Sequence, residues 1–370
     1  MDNKVILAIL AVAVIIAAGA VCVFTIGGNN APEKEPEKEP EKEPVNDPHE
    51  ITVKDSLGND VTLTVPLTKI CTVNTNAAEF LHMFGASDRV VAVDSSLRES
   101  MPAIYGKATD VGDYKTPAGD KIIETGATVV ISQSSSRSLS AATEQALKDN
   151  YGITVLRIDC YGENMASDIE TLVKVLDSTS AEKKLNEYRG IYDDIVAKVL
   201  AKAKDAHKDP AFLMMFTSMN KFYNDNSELC KIVEKIGGHN SLVDMGDKPS
   251  KSSVTSAPSK ETVYNNGMTN GTDLVLIRGI SGSTAESCYQ KFLAYGGTYD
   301  FTKLDKGNTS DIYVIETDVL SGPRDYVGYV CIAESMGIDT GLDYDKLVNE
   351  FNTKYGFGVI YPYIMSKFPA

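Results

Sequence analysis

Tryptophan is absent from this 370-residue chain, histidine occurs only four times, and none of the six cysteines stands in a CxxC pair. The missing tryptophan leaves 18 tyrosines as the main near-ultraviolet reporters. His49, His82, His207 and His239 are scattered, one before the folded part and one on a long helical stretch, which argues against a zinc or manganese centre of converging imidazoles. Beyond residue 28 the cysteines number five, Cys71, Cys160, Cys230, Cys288 and Cys331, and neither a zinc cluster nor a disulfide framework follows from single, widely spaced thiols. They read as small buried hydrophobes. The signatures of common hydrolases, zinc proteases, P-loop enzymes and dinucleotide binders are also missing: G-x-S-x-G, H-E-x-x-H, G-x-x-x-x-G-K-[ST] and G-x-G-x-x-G after a strand. The serine run Ser134-Ser135-Ser136 has no histidine near it in sequence and reads as a loop. Positive charge is scarce, 36 Lys and Arg against 51 Asp and Glu, so the net charge of -15 repels phosphate backbones and excludes nucleic acid as a natural partner.

What is present begins with an unbroken apolar run over residues 5–26, preceded by Lys4. At ~1.5 Å per helical residue the run is long enough for a ~30 Å hydrocarbon core, and it exceeds the ~7–15 residues of a cleavable signal core. Residues 1–28 therefore read as a retained membrane anchor, with the remainder outside the cytoplasm by the positive-inside rule. Gly19-Ala20-Val21-Cys22 carries Val where a lipidation motif wants a small residue, which favours a membrane-buried cysteine over a lipidated one. Residues 29–50 contain Pro32, Pro36, Pro40, Pro44 and Pro48 at four-residue intervals among Glu and Lys, an extended and solvated stalk.

From residue 51 short apolar strands alternate with helices. Residues 51–53 and 61–65 flank the turn-forming Leu57-Gly58-Asn59-Asp60 and predict a hairpin. Strands at 70–73, 90–93, 128–131 and 153–158, with a helix over 77–84 that Asn76 would cap and another near 139–150, predict a parallel, doubly wound α/β lobe over 51–178. A second series over 210–370 has strands at 211–216, 274–277 and 312–315 and helices at 228–236, 324–336 and 344–355. Between them, over 179–209, Leu185, Tyr188, Tyr192, Ile195, Val196, Val199, Leu200 and Ala203 recur at spacings of three and four, and Thr179 with Glu182 fits a capping box. One long helix of ~40 Å is thus expected to join two α/β lobes, with a ligand cleft between them.

Several segments, in order, carry a family resemblance: Asp55-Ser56-Leu57-Gly58-Asn59-Asp60-Val61-Thr62-Leu63, Asn76-Ala77-Ala78-Glu79-Phe80-Leu81, residues 84–94 (FGASDRVVAVD), Val111-Gly112-Asp113-Tyr114, and Ile312-Tyr313-Val314-Ile315 leading into Leu320-Ser321-Gly322-Pro323-Arg324. With the bracing helix between them, they resemble the helical-backbone (class III) periplasmic binding proteins, the iron-siderophore and cobalamin receptors of ABC importers, over residues 50–368. The resemblance implies no catalysis and no cofactor. It implies a small-molecule ligand, an iron chelate or a corrinoid, and a permease with its ATPase as partner. It departs from the family where Asn-Pro-Asp or Lys-Pro-Asp is usual, since the chain has 125–128 (TGAT) and 269–273 (TNGTD), and in the lack of tryptophan for the cleft.

In open parallel sheets ligands sit outside the carboxyl ends of the strands. The loops there carry Asn74, Thr75, Ser95, Tyr114, Gln133, Arg137 and Tyr161 in the first lobe, and Tyr223, Arg278 and Arg324 in the second. Hydroxyls, amides and a few cations suit an anionic, oxygen-rich chelate. Arg324, just after a proline at a helix start, opposes the helix dipole and needs a compensating anion, either the ligand or a neighbouring carboxylate. By resemblance, Asp120 and Glu261 are the acids offered to the permease. The readings kept beside this one are a cobalamin or haem receptor, and, from other classes, a tetrapyrrole chelatase or a surface interaction module. His82 is the only proton acceptor to name for a chelatase, and its spacing beside Leu81 and Phe84 suggests packing instead.

Overall fold

The computed structural model describes residues 46–135, 138–216, 221–245, 254–255, 259–359 and 361–369. The apolar run and all but the end of the stalk lie outside these. Among the described residues, no helix is long and apolar enough to cross a membrane.

The expected hairpin forms from β1 (His49–Lys54) and β2 (Asp60–Val65), paired antiparallel with His49 opposite Val65 and Lys54 opposite Asp60. Strand β1 thus begins inside the stretch assigned to the stalk. The first lobe is a five-stranded sheet in the order β5-β4-β3-β6-β7, from β3 (Ile70–Thr72), β4 (Val90–Val93), β5 (Thr109–Asp110), β6 (Val129–Ser132) and β7 (Thr154–Arg157). Every pair is parallel, which calls for helices on both faces, and the inner strands β4, β3 and β6 are largely apolar while the edge strand β5 is Thr109-Asp110. The helix after β3, Thr75–Met83, is capped by Asn74 and not by Asn76: the Asn74 side chain accepts from the N–H groups of Asn76 and Ala77. An extended residue with a free side-chain oxygen is what a cap requires, and Asn74 is the one with φ -130° and ψ 113°.

The second lobe is a seven-stranded mixed sheet. Its parallel centre is β8 (Ala211–Phe216), β12 (Leu274–Arg278) and β13 (Asp311–Ile315). Four pieces without a clear apolar run escaped the sequence reading: β9 (Lys221–Tyr223) and β14 (Met365–Phe368) pair antiparallel at opposite sides of that centre, β10 (His239–Asn240) pairs parallel with the start of β8, and β11 (Val254–Thr255) is the fourth. Strand β11 extends the edge beside β9.

The two lobes are joined by one 28-residue helix, Thr179–Ala206. Its cap is Ser178, whose side chain accepts from the N–H of Ala181, one residue before the capping box suggested by Thr179 and Glu182. Leu185, Tyr188, Ile195, Val199 and Ala203 are buried along one stripe. They belong to a single apolar cluster that also contains Phe80 and Leu172 of the first lobe and Tyr326 and Val330 of the second. Tyr188 meets Phe80 edge-on at 5.4 Å, and Tyr192 meets Tyr326 edge-on at 6.3 Å. The lobes therefore share this cluster, while each also has one of its own, around Val130 and Val155 in the first lobe and around Val275 and Phe292 in the second.

Truncating Tyr188, 1% exposed, to Ala removes a ring that touches the first lobe from the helix and should cost about 3–5 kcal/mol. Because the cluster is shared, guanidinium unfolding followed by tyrosine emission and by far-ultraviolet dichroism should stay a single coincident transition at a lower midpoint. Two separated transitions would show that the lobes unfold independently.

Candidate ligand cleft

The carboxyl ends of the first lobe's strands are tied together before any ligand arrives. The buried Asn74 side chain donates to the carbonyl of Ile158, Asn76 donates to the carbonyl of Asp159 at 3.2 Å, and the Asp159 carboxylate accepts from the Ser134 N–H and hydroxyl at 2.8 and 2.6 Å. Asn74 is thus committed to capping and cross-linking, while Thr75 beside it is exposed. Ser95 donates to Asp110 at 2.7 Å, and this bond holds the Asp110 carboxyl below its ordinary range. Gln133 is half-buried, with its carbonyl accepting from Arg157 at 3.1 Å. Tyr114 is exposed under Lys115, and Arg137 lies outside the described residues.

The loop after β7 is held in an unusual shape. Cys160 has φ 56°, a left-handed conformation uncommon for a residue with a Cβ. It is over-determined: the N–H groups of Asp159 and Cys160 both donate to Asp168 at 2.9 Å, and Ser56 of the hairpin turn donates to the same carboxylate. Burial nevertheless pushes the Asp168 carboxyl up to about 6. Strain of this kind persists only where the surroundings enforce it, and here it precedes Tyr161.

Tyr161 lies in the field of charges from both lobes. Burial raises its hydroxyl pKa, the carboxylates of Asp159 and Glu228 push it further up, and the nearby Arg278 pulls it down. On the facing wall Arg278 donates from Nη1 to the Tyr223 hydroxyl at 2.8 Å and from Nε to Thr317 Oγ1 at 2.7 Å. Its guanidinium lies 5.4 Å from the Phe216 ring, which stacks on Tyr223 at 5.5 Å. Tyr161, Tyr223 and Arg278 are therefore the sequence-predicted residues that the fold brings into one neighbourhood. Beside them the lobes touch. The Glu163 N–H donates to Glu228 at 2.8 Å, and Lys231 bridges Glu163 and Glu228 at 3.0 and 2.8 Å. Gly162 has φ 62°, and a Cβ there would fall 2.3 Å from the Glu228 side chain, so the approach requires glycine.

Arg324 has a different place. It ends the 3₁₀ turn Gly322–Arg324, is 0% exposed, and forms a short ion pair with Glu79 on the first lobe's helix. The compensating anion is thus a carboxylate of the other lobe. Phe351, Phe357 and Tyr361 surround the guanidinium with ring centroids at 5.3, 5.0 and 5.9 Å. Burial pushes the Glu79 carboxyl up against the pull of Arg324, and burial pulls the arginine down while Glu79 and the neighbouring groups more than offset it, so the guanidinium keeps its charge. His82, one turn along from Glu79, is packed edge-on against Phe357 at 4.7 Å with Nδ1 2.7 Å from the Ser87 hydroxyl. Burial lowers its pKa. Asp120 and Glu261 are exposed in the first turns of the helices Gly119–Glu124 and Lys260–Asn270.

The sequence reading missed Glu79, Phe216, Glu228 and Thr317. Glu79 left a signal, a carboxylate between Ala78 and Phe80 on a face that is otherwise apolar. Breaking a buried pair from one side leaves an uncompensated charge, so Glu79→Ala should cost about 3–5 kcal/mol. Replacing both partners, Glu79→Leu with Arg324→Met, should recover most of that loss in a denaturant titration. If the double variant were no more stable than Glu79→Ala, the pair would be held by something other than mutual neutralisation.

No family model matches the chain. An uncharacterized ABC transporter substrate-binding lipoprotein of Bacillus subtilis (strain 168), YvrC, is 27% identical over 159 residues, 43% of this chain and 49% of that protein. The chain thus matches about half the length of this curated relative. Among solved structures, the TroA-like periplasmic binding protein FepB from Veillonella parvula superposes with TM-score 0.61 at 17% identity, covering 82% of this chain and 95% of that one. An ABC-type Fe3+-hydroxamate transport system protein from Saccharomonospora viridis gives 0.55 at 16%, covering 78% and 99%. A periplasmic heme-binding protein from Pseudomonas aeruginosa gives 0.55 at 14%, covering 75% and 94%. Two α/β lobes on a single long helix, matched nearly end to end by these structures, give the chain the fold of the class III periplasmic binding proteins.

Proposed function

We propose that this protein is an extracytoplasmic solute receptor, tethered by its N-terminal apolar run, that delivers an iron chelate to an ABC importer without catalysing any reaction. The observation that carries the reading is the Arg278 guanidinium bonded to the Tyr223 hydroxyl, next to the loop after β7 where Gly162 and Glu163 of the other lobe meet Glu228. A guanidinium among phenol hydroxyls suits the recognition of anionic oxygen. The relative and the neighbours described as substrate-binding, Fe3+-hydroxamate transport and heme-binding proteins support the class. A macrocycle, haem or cobalamin, is the second reading, favoured by the aromatic pair Phe216 and Tyr223 beside Arg278.

Titrating the protein with a ferric hydroxamate, a ferric catecholate, haem and cyanocobalamin should quench tyrosine emission saturably for an iron chelate. Arg278→Gln should weaken that binding roughly ten-fold or more, the worth of a charge-assisted hydrogen bond. Saturation by haem or cobalamin alone would move the protein to the second reading, and silence from all four would remove both.

Docking on the permease is assigned to Asp120 and Glu261. They stand exposed at corresponding places, each on the helix that precedes the strand beside its lobe's central strand, β6 next to β3 and β12 next to β8. Interfacial charge pairs couple by about 1.5–7 kcal/mol, well above the ~0.3–1 kcal/mol of a helix-end charge. Asp120→Lys with Glu261→Lys should therefore leave chelate affinity and melting temperature nearly unchanged and abolish importer-stimulated ATP hydrolysis. Full stimulation by the double variant would put the docking surface elsewhere.

A further inference from the structure

The two acids assigned to the permease do not stand alone on their faces. Among the described residues six large apolar side chains are exposed, and three of them border Asp120 or Glu261: Ile123 at 45%, Tyr151 at 39% and Met268 at 41%. Ile123 follows Asp120 by three positions on the helix Gly119–Glu124, which puts the two on one face. Tyr151 ends the next helix, Ala141–Tyr151, and a Cβ on Gly119 would fall 2.5 Å from its ring, so the phenol lies directly on the residue before Asp120. On the second lobe Tyr264 and Met268 follow Glu261 by three and seven positions along the helix Lys260–Asn270, again on one face. Tyr264 is half-buried, its ring tilted against Tyr299 at 5.3 Å. Each lobe thus presents the same trio, a carboxylate, a tyrosine and an aliphatic or thioether side chain, although different segments supply it.

The lysine next to each acid is engaged elsewhere. Lys121, beside Asp120, donates to the Asp110 carbonyl at 3.1 Å, and Lys260, beside Glu261, lies 4.8 Å from the centre of the Tyr295 ring. A single exposed apolar residue is ordinary on any protein surface, but recurrence beside both acids calls for a cause. Aromatic and thioether groups are what the centre of a protein interface is made of, with charges at its rim. A second copy of this chain, docked face to face, would bring acid against acid, and anionic lipid would meet the same carboxylates, so both are disfavoured as occupants.

We propose that Ile123 with Tyr151, and Tyr264 with Met268, are two apolar anchors that seat the importer permease, while Asp120 and Glu261 at their edges steer a surface of cations around apolar side chains onto them. The anchors rest on the assignment of Asp120 and Glu261 to permease docking. They divide its energetics, in that the acids set how fast the partners meet and the anchors set how long they stay.

The test uses the full chain in detergent flowed over the permease–ATPase complex held in nanodiscs, with association and dissociation rates read at about 0.05 and 0.5 M salt. Tyr151→Ser with Met268→Ser should speed dissociation about ten-fold or more at both salt concentrations and change association less than about two-fold. The melting temperature should stay nearly unchanged, since both side chains are exposed. Asp120→Lys with Glu261→Lys should instead slow association, most strongly at the lower salt. Tyr151→Phe with Met268→Leu keeps the apolar area and should keep wild-type rates. Wild-type dissociation in the serine variant, or fast dissociation in the conservative one, overturns the anchors; if the charge reversal still abolishes stimulated ATP hydrolysis, docking by the two acids stands without them. Should neither the serine variant nor the charge reversal alter any rate, the docking assignment fails together with the anchors. A wild-type dimer that the serine variant turns into a monomer, with importer rates unchanged, would put a second copy on these faces and overturn the proposal as well.

Discussion

The rest of the structure depends on one apolar seam. The stripe of Leu185, Tyr188, Ile195, Val199 and Ala203 along the helix Thr179–Ala206 is buried in a cluster to which both lobes contribute. A continuous α-helix has no soft joint, since bending it sharply needs a proline, a bulge or an inserted group. Because side chains from both lobes pack on this one rod, the ends of the two sheets face each other at a separation set by the core. The cleft's chemistry then needs only loops of the right length. The strained turn at Cys160, anchored by Asp168 and Ser56, is one such loop, and just after it Gly162 and Glu163 meet Glu228 of the other lobe.

Polar contacts between the lobes are few in kind and specific in geometry. At the cleft edge, Lys231 ties Glu163 to Glu228 where Gly162 permits close approach. Elsewhere between the lobes, Glu79 and Arg324 form a buried pair, with Phe351, Phe357 and Tyr361 around the guanidinium. A buried ion pair contributes little net stability beside an apolar substitute of the same volume, because both ions lose their hydration. Its better-attested value is to define one arrangement against others. An apolar seam supplies strength without register, and the ion pairs supply register without much strength.

The fold was legible to a large extent because its signals are periodic and local. Spacings of three and four marked the bracing helix, and continuous apolar runs marked β6, β8, β12 and β13, which are buried on both faces. The helix Glu228–Ile236, bounded by Ser227 and Gly237, was readable to the residue. The caps at Asn74 and Ser178 were each misplaced, by two residues and one, since Asn, Ser and Thr neighbours offer several possible caps and only backbone conformation chooses among them. Short strands such as Lys221–Tyr223 carried too few residues for a pattern to show. The site was legible in residue type but not in partnership. Tyr161, Tyr223 and Arg278 could be placed on suitable loops, yet that Arg324 turns inward to Glu79, 245 positions away in the chain, is a tertiary fact with no local trace beyond a carboxylate on an apolar helix face.

The central claim is that a shared core on one helix holds the two lobes at a nearly fixed separation around the cleft. The five described cysteines are all buried, so spin labels can be placed selectively at Lys148→Cys in the first lobe and Lys291→Cys in the second, both exposed positions, in a Cys22→Ser background. Pulsed dipolar spectroscopy without and with a saturating ferric chelate should give one narrow distance distribution whose mean moves by no more than about 1–2 Å, the scale of a helix shift at a packed interface. A second population, or a displacement of about 5 Å or more, would mean that the lobes hinge independently and that the bracing helix does not govern the cleft.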